Sequence, residues 1–234
     1  MGMDNAARRR YTDHRHFQES EAFAMDQRTA LIIIDMQGGF LSPASPQYIA
    51  GAEATVPACA AVAAFCRSRG IPVFYVTRAY RADGSDVEHT RFESWLAGGR
   101  PLSPGCGGEV SAEMPAALAP QEGDYVLYKP RFSAFFQTPL DLMLRRLRRD
   151  TLLLAGTTTP NCIRTTAYDA LSLEYNAAVL SDCTSSVSEA VQRANLEDMA
   201  RIGIQILSSA DYISGRVRLT DSAGRVQERV RQGI

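Results

Sequence analysis

Apolar and polar positions fall along this chain in blocks that alternate between strand and helix patterns. Ala30-Leu31-Ile32-Ile33-Ile34 is an unbroken apolar run that stops at Asp35, the pattern of a strand buried on both faces of a parallel sheet. Val56, Cys59, Ala60 and Ala63 then mark one face of a helix, with Gly70 as its stop. Residues 71–76 form a second apolar run, in which Pro72 is tolerable near the start of a strand. A short third run spans 125–128, and Lys129 follows it directly. Residues 152–155 make a fourth, leading into the turn Gly156-Thr157-Thr158-Thr159-Pro160-Asn161-Cys162. Beyond that turn Ile163, Ala167, Ala170 and Leu171 recur at helical spacing. A fifth run, 177–180, leads to Asp182, and a sixth covers 204–207. Between these runs, Thr138 and Pro139 open a helix with the stripe Leu140, Met143, Leu144 and Leu147. Ser186 and Glu189 read as a capping box for another. Strands alternating with helices predict an α/β fold: a doubly wound, six-stranded parallel sheet with helices on both faces.

The pattern breaks between Thr77 and Asp124, where glycines and prolines cluster and only a short helix near 92–96 is suggested. A segment this long and irregular is expected to wall an active site. Trp95 within it fits a core role better than a pocket role. The chain divides accordingly into a polar arm over 1–27, one α/β domain over 28–213 and a polar, arginine-rich tail over 214–234. That tail is expected to be loose or used in subunit contacts.

Composition narrows the function by exclusion. The chain of 234 residues has a formal net charge of −1, so no nucleic-acid partner is expected. No apolar stretch reaches membrane-spanning length and the N-terminus is polar, so neither a membrane partner nor a signal peptide is expected. The 5 cysteines lack C-x-x-C spacing, which suits reduced thiols in a cytoplasmic protein. Of the 25 basic residues only Lys129 is lysine. In so arginine-biased a chain, a compact ammonium at that position reads either as a functional group or as a chance survivor.

Asp35, Lys129 and Cys162 all fall at the carboxyl ends of predicted strands, where doubly wound sheets bind their ligands. Cys162 sits where a strand passes into a helix, and the N–H groups and positive dipole end there would favour a thiolate over a thiol. The alternative is a buried structural cysteine. As a set, Asp35 would accept the thiol proton, Lys129 would stabilise the sulfur anion, and the N–H groups of the turn would form an oxyanion hole. No histidine is placed to act as the base: His14 and His16 lie in the arm and His89 in the irregular segment.

Three motifs together identify a resemblance. Asp35-Met36-Gln37 with Phe40, the stretch Lys129-Pro130-Arg131-Phe132-Ser133-Ala134-Phe135-Phe136, and the turn from Gly156 to Cys162 resemble the isochorismatase-like cysteine hydrolases over about residues 28–210. The resemblance implies a catalytic triad of Asp35, Lys129 and Cys162, and a thioester intermediate. It also implies a non-proline cis peptide before Thr158, with the Thr158 and Cys162 N–H groups facing the oxyanion. Nicotinamidases of that family carry a metal site after the second strand. Here the corresponding residues are Thr77-Arg78-Ala79-Tyr80-Arg81, so neither a metal nor any other cofactor is expected, and nicotinamide is disfavoured. The stretch from Lys129 looks most like the ureido and carbamoyl branch, so the expected substrate is a small amide, ureido or carbamoyl compound. Relatives are commonly dimers or tetramers, which implies a homo-oligomer.

Arg78 and Arg131 are each either a substrate-carboxylate anchor or one half of a structural ion pair. Phe40, Phe135 and Tyr168 wall a pocket or pack a core, and Gln37, Ser133 and Asn161 are candidate orienting groups. Two other functions stay open: an isochorismatase-type reaction on a vinyl ether, and a binding or scaffold role with no turnover.

Overall fold

A computed structural model describes residues 25–106 and 111–234. Six strands, β1 (Thr29–Ile34), β2 (Val73–Arg78), β3 (Tyr125–Lys129), β4 (Thr151–Thr157), β5 (Asn176–Ser185) and β6 (Gln205–Leu207), form one sheet in the order β3-β2-β1-β4-β5-β6. All five pairings are parallel. The chain winds outward in one direction from β1 and in the other from β4, so the switch in winding lies between these two central strands. Every residue of β1, β2 and β4 is buried, which is why each reads as a continuous apolar run and not as an alternation.

The two faces of the sheet bury separate cores. Leu31, Ile33, Leu153 and Ala155 point to one face and meet Cys59, Val62 and Cys66 of α2 (Val56–Ser68). Ala30, Ile32, Ile34, Leu152 and Leu154 point to the other. There they meet α4 (Leu140–Arg146), α5 (Arg164–Ser172) and α6 (Glu189–Arg201) through Leu144, Ala167 and Met199. A third cluster, Phe40, Tyr80, Val87, Trp95 and Leu102, gathers the irregular segment around α1 (Gly38–Leu41) and α3 (Phe92–Ala97). Trp95 is buried there, its indole N–H donating to the Pro101 carbonyl at 2.9 Å.

Two expectations about helix ends need correcting. The side chain that caps α6 is Ser188, which accepts from the Val191 N–H at 3.3 Å; Ser186, three residues before Glu189, is buried and caps nothing. The C-terminal residues include a further helix, α8 (Ser222–Arg231), which follows α7 (Ser209–Ile213) and is capped by Asp221. The expected arm falls largely on residues 1–24, outside the described residues.

Candidate active site

Parallel register brings the strand ends together. Arg78 is the partner of Lys129 across β2 and β3, and Ile34, the residue before Asp35, is the partner of Gly156 across β1 and β4. Gly156 has φ +109°, and a Cβ there would sit 2.0 Å from the Ile34 carbonyl oxygen. Only glycine permits this approach. It draws Asp35 alongside the turn that carries Cys162. Asp35 itself has φ 52°, a left-handed conformation that aspartate tolerates better than most residues.

The turn is anchored on the end of β5. The Thr158 and Thr159 hydroxyls both donate to the Ser185 carbonyl, at 3.2 and 2.9 Å, and the Thr157 hydroxyl meets the Ser185 hydroxyl at 3.1 Å. The Thr157–Thr158 peptide is cis, as the resemblance implied. Residues Thr159–Ile163 form a single π-helical turn that runs into α5. From α5 the Thr166 hydroxyl donates to the Cys162 carbonyl at 2.6 Å and accepts from the Ala134 N–H at 2.9 Å. Thr166 thereby ties the cysteine turn to the loop that follows β3.

Asp35, Lys129 and Cys162 meet in one buried cluster. The Lys129 Nζ lies 2.7 Å from Asp35 Oδ2 and 3.5 Å from Cys162 Sγ, and it donates to the Arg131 carbonyl at 3.0 Å. Although the opposite charges approach this closely, neither Asp35 oxygen completes a well-directed hydrogen bond among the described residues. The carboxylate therefore keeps acceptor capacity for a proton. Arg78 adds a second cation, with Nη2 3.9 Å from the sulfur. Glu88 and the Tyr80 hydroxyl hold its Nη1, the latter at 2.8 Å, and Tyr80 donates to Glu88 Oε2 at 2.7 Å. Burial alone would raise the Glu88 carboxyl, yet Arg78 and Tyr80 hold it below the ordinary glutamate range.

The expectation of a resting thiolate is reversed. Burial pushes the Cys162 thiol up, the Asp35 carboxylate pushes it further, and Lys129 and Arg78 only partly offset them. At rest the sulfur keeps its proton beside a carboxylate able to take it.

A cavity of about 290 Å³ reaches Cys162 and is lined by Phe40, Arg78, Thr158, Asn161, Phe132 and Arg91, among others. Of the residues predicted to bind substrate, Phe40, Arg78 and Asn161 are there. The other five are engaged elsewhere. Gln37 is buried as a brace, donating to the Arg78 and Ala112 carbonyls and accepting from the Arg78 N–H. The Arg131 guanidinium donates to the Asp86 and Pro130 carbonyls. Ser133 Oγ accepts from the Phe135 N–H, the Phe135 ring stacks on Tyr175, and Tyr168 donates to Asp198 on α6. Phe132 and Arg91 are among the lining residues that sequence reasoning missed. Phe132 stands inside the motif that begins at Lys129, but Arg91 lies in the stretch without periodicity. Among the described residues no three His, Cys, Asp or Glu side chains gather as a metal site.

A family model for the isochorismatase domain matches residues 29–211. The chain belongs to the isochorismatase family. It is 37% identical, over 76% of its length and 91% of the relative's, to a protein of Arabidopsis thaliana described as a probable inactive nicotinamidase. It is 33% identical to the maleamate amidohydrolase of Pseudomonas putida, covering 74% of this chain and 79% of that one. Among solved structures, an isochorismatase family protein from Desulfovibrio vulgaris superposes with a TM-score of 0.76 at 42% identity, covering 82% of this chain and 99% of that one. The family fold is thus shared over 82% of this chain, and its relatives include amidohydrolases.

Proposed function

We propose that this isochorismatase-family protein is a cysteine amidohydrolase that cleaves a C–N bond of a small amide, ureido or carbamoyl compound. The observation that carries the reading is the position of Lys129 Nζ, 2.7 Å from Asp35 and 3.5 Å from Cys162 Sγ, beside a cavity that Cys162 lines. In the first half-reaction Sγ attacks the carbonyl carbon as its proton passes to Asp35. The oxyanion forms against the Thr158 and Cys162 N–H groups. Collapse breaks the C–N bond, Asp35 returns the proton to the leaving nitrogen, and a thioester remains. Water then attacks the thioester carbonyl, giving its proton to Asp35. The C–S bond breaks, the acid leaves, and the proton returns to sulfur. Lys129 and Arg78 stabilise the negative charge that develops on sulfur at each stage.

The test is ammonia release by the purified protein from ureido acids, carbamoyl amino acids and simple amides, with pyruvate release from a vinyl ether followed in parallel. Cys162→Ala is expected to lower kcat by roughly 10³-fold or more while unfolding at a similar temperature. Wild-type rates in that variant, or pyruvate without ammonia, would overturn the reading. Similarity to a relative described as inactive supports one other reading, a fold kept for binding alone. Folded protein that releases nothing from the whole panel would favour it.

A further inference from the structure

The charges around the cavity bear on which substrate it takes. Of the three cations that the described residues place beside it, two are already matched, Lys129 by Asp35 and Arg78 by Glu88. Arg91, at the N-terminal boundary of α3, lines the same cavity and makes no side-chain hydrogen bond or ion pair with a described residue. Its guanidinium lies 4.9 Å over the Phe132 ring, and the Arg78 guanidinium lies 5.3 Å from that ring. Stacking fixes the plane of a guanidinium and leaves its N–H fork free for a bidentate acceptor. With the sulfur protonated and the other charges paired, one positive charge is left facing the cavity, and a low-dielectric cleft focuses the field of such a charge.

We propose that Arg91 anchors a carboxylate of the substrate, which is a short monoanion bearing its scissile amide or ureido group at one end and its acid at the other. The cavity, about 290 Å³, has the space of roughly ten water molecules, which accommodates a few carbons between those ends. Arg131 is not among the residues that line the cavity and its Nη1 is held by carbonyls, while the charge of Arg78 is matched by Glu88. The inference rests on the amidohydrolase reading for the bond that is cut, but not for the binding of the anion.

Two measurements separate these. In the first, iodoacetamide alkylation of Cys162 is followed with butyrate or its uncharged shape-match pentan-2-one. Butyrate is expected to protect the better of the two. Arg91→Ala is expected to raise its half-protecting concentration at least tenfold, and Arg91→Lys by less. Equal protection by the two compounds, or an unchanged butyrate value in Arg91→Ala, overturns the proposal. In the second, succinamate and succinamide are compared as substrates. The ratio of their kcat/KM values is expected to fall tenfold or more in Arg91→Ala, mainly through KM for succinamate. An unchanged ratio overturns the anchor while leaving the hydrolase standing. Arg91-dependent protection by butyrate in a protein that hydrolyses nothing leaves the anion site standing and removes the hydrolase.

Discussion

Asp35 has two opposed effects on Cys162. Its charge raises the thiol, together with burial, and its carboxylate, ion-paired with Lys129, is the base placed to take the thiol proton. Alkylation of the resting protein should therefore begin at a higher pH than for an ordinary cysteine, near 8.5. In Asp35→Asn the negative charge is gone while Lys129 and Arg78 stay close, so the thiol should titrate lower and alkylate faster near neutral pH. Turnover should nevertheless fall by roughly 10²-fold or more, because an amide cannot carry the proton. Iodoacetamide rates against pH, set beside ammonia release, check both halves; a variant that alkylates no faster would show that Asp35 does not govern the sulfur. At this scale the sequence was informative where a side chain stands at or just beyond a strand end, as Asp35 and Lys129 do, or in the turn leading off one, as Cys162 does. It misled where roles depend on direction. Gln37, Arg131, Ser133, Phe135 and Tyr168 all lie within a few residues of the site along the chain, yet local hydrogen bonds and core packing turn them away from the cavity.

Between β1 and β4 the limiting feature is a pair of backbones in contact. Gly156 meets the Ile34 carbonyl so closely that any Cβ must displace one strand end from the other, and the displaced end carries either Asp35 or the cysteine turn. Gly156→Ala combines a backbone collision with a left-handed φ, and should destabilise the fold by about 3 kcal/mol or more. In a chain of this size that corresponds to roughly 6–12 °C in Tm. Thermal unfolding measures it, and a Tm within 2 °C of wild type would show that the strands part at no cost. Strand and helix patterns were legible because the parallel strands are buried on both faces and read as continuous apolar runs. The cap of α6 was not. Ser186 and Ser188 are both compatible with a helix opening at Glu189, and only the path of the chain off β5 decides which hydroxyl faces the Val191 N–H. The segment between Thr77 and Asp124 held a small core of its own around Trp95, made from residues with no common period, so its contribution of Arg91 to the cavity had no local signal.

Across the whole molecule, the end of the sheet opposite the site is closed by a clasp that no pattern in the chain announced. Arg28, just before β1, pairs with Asp150 and with Asp221, and Asn176 at the start of β5 donates to Asp221 at 3.2 Å. Asn176 also accepts from the Ser222 and Ala223 N–H groups at 2.9 and 3.0 Å, while Asp221 accepts from the Gly224 N–H at 2.9 Å. Helix α8 buries none of its residues, so its ordering depends on these polar contacts at its first turn and not on an apolar face. Removing the cap in Asp221→Ala should cost α8 about 1 kcal/mol, or roughly fivefold in the opening that hydrogen exchange reads. Residues 222–231 should lose protection while the sheet keeps its own. Acid should have the same effect on the wild-type protein. The hydrogen bonds from Arg28, and secondarily the Gly224 amide, hold the Asp221 carboxyl below the ordinary aspartate range. A depressed carboxyl contributes stability that is complete above its unfolded value, about 3.9, and is lost as pH falls through the lower folded value. Exchange in α8, corrected for intrinsic rates, should therefore hold steady down to about pH 4 and accelerate below it, and Asp221→Ala should remove that step. Equal protection in the variant and the wild type would place the ordering of α8 in some other contact.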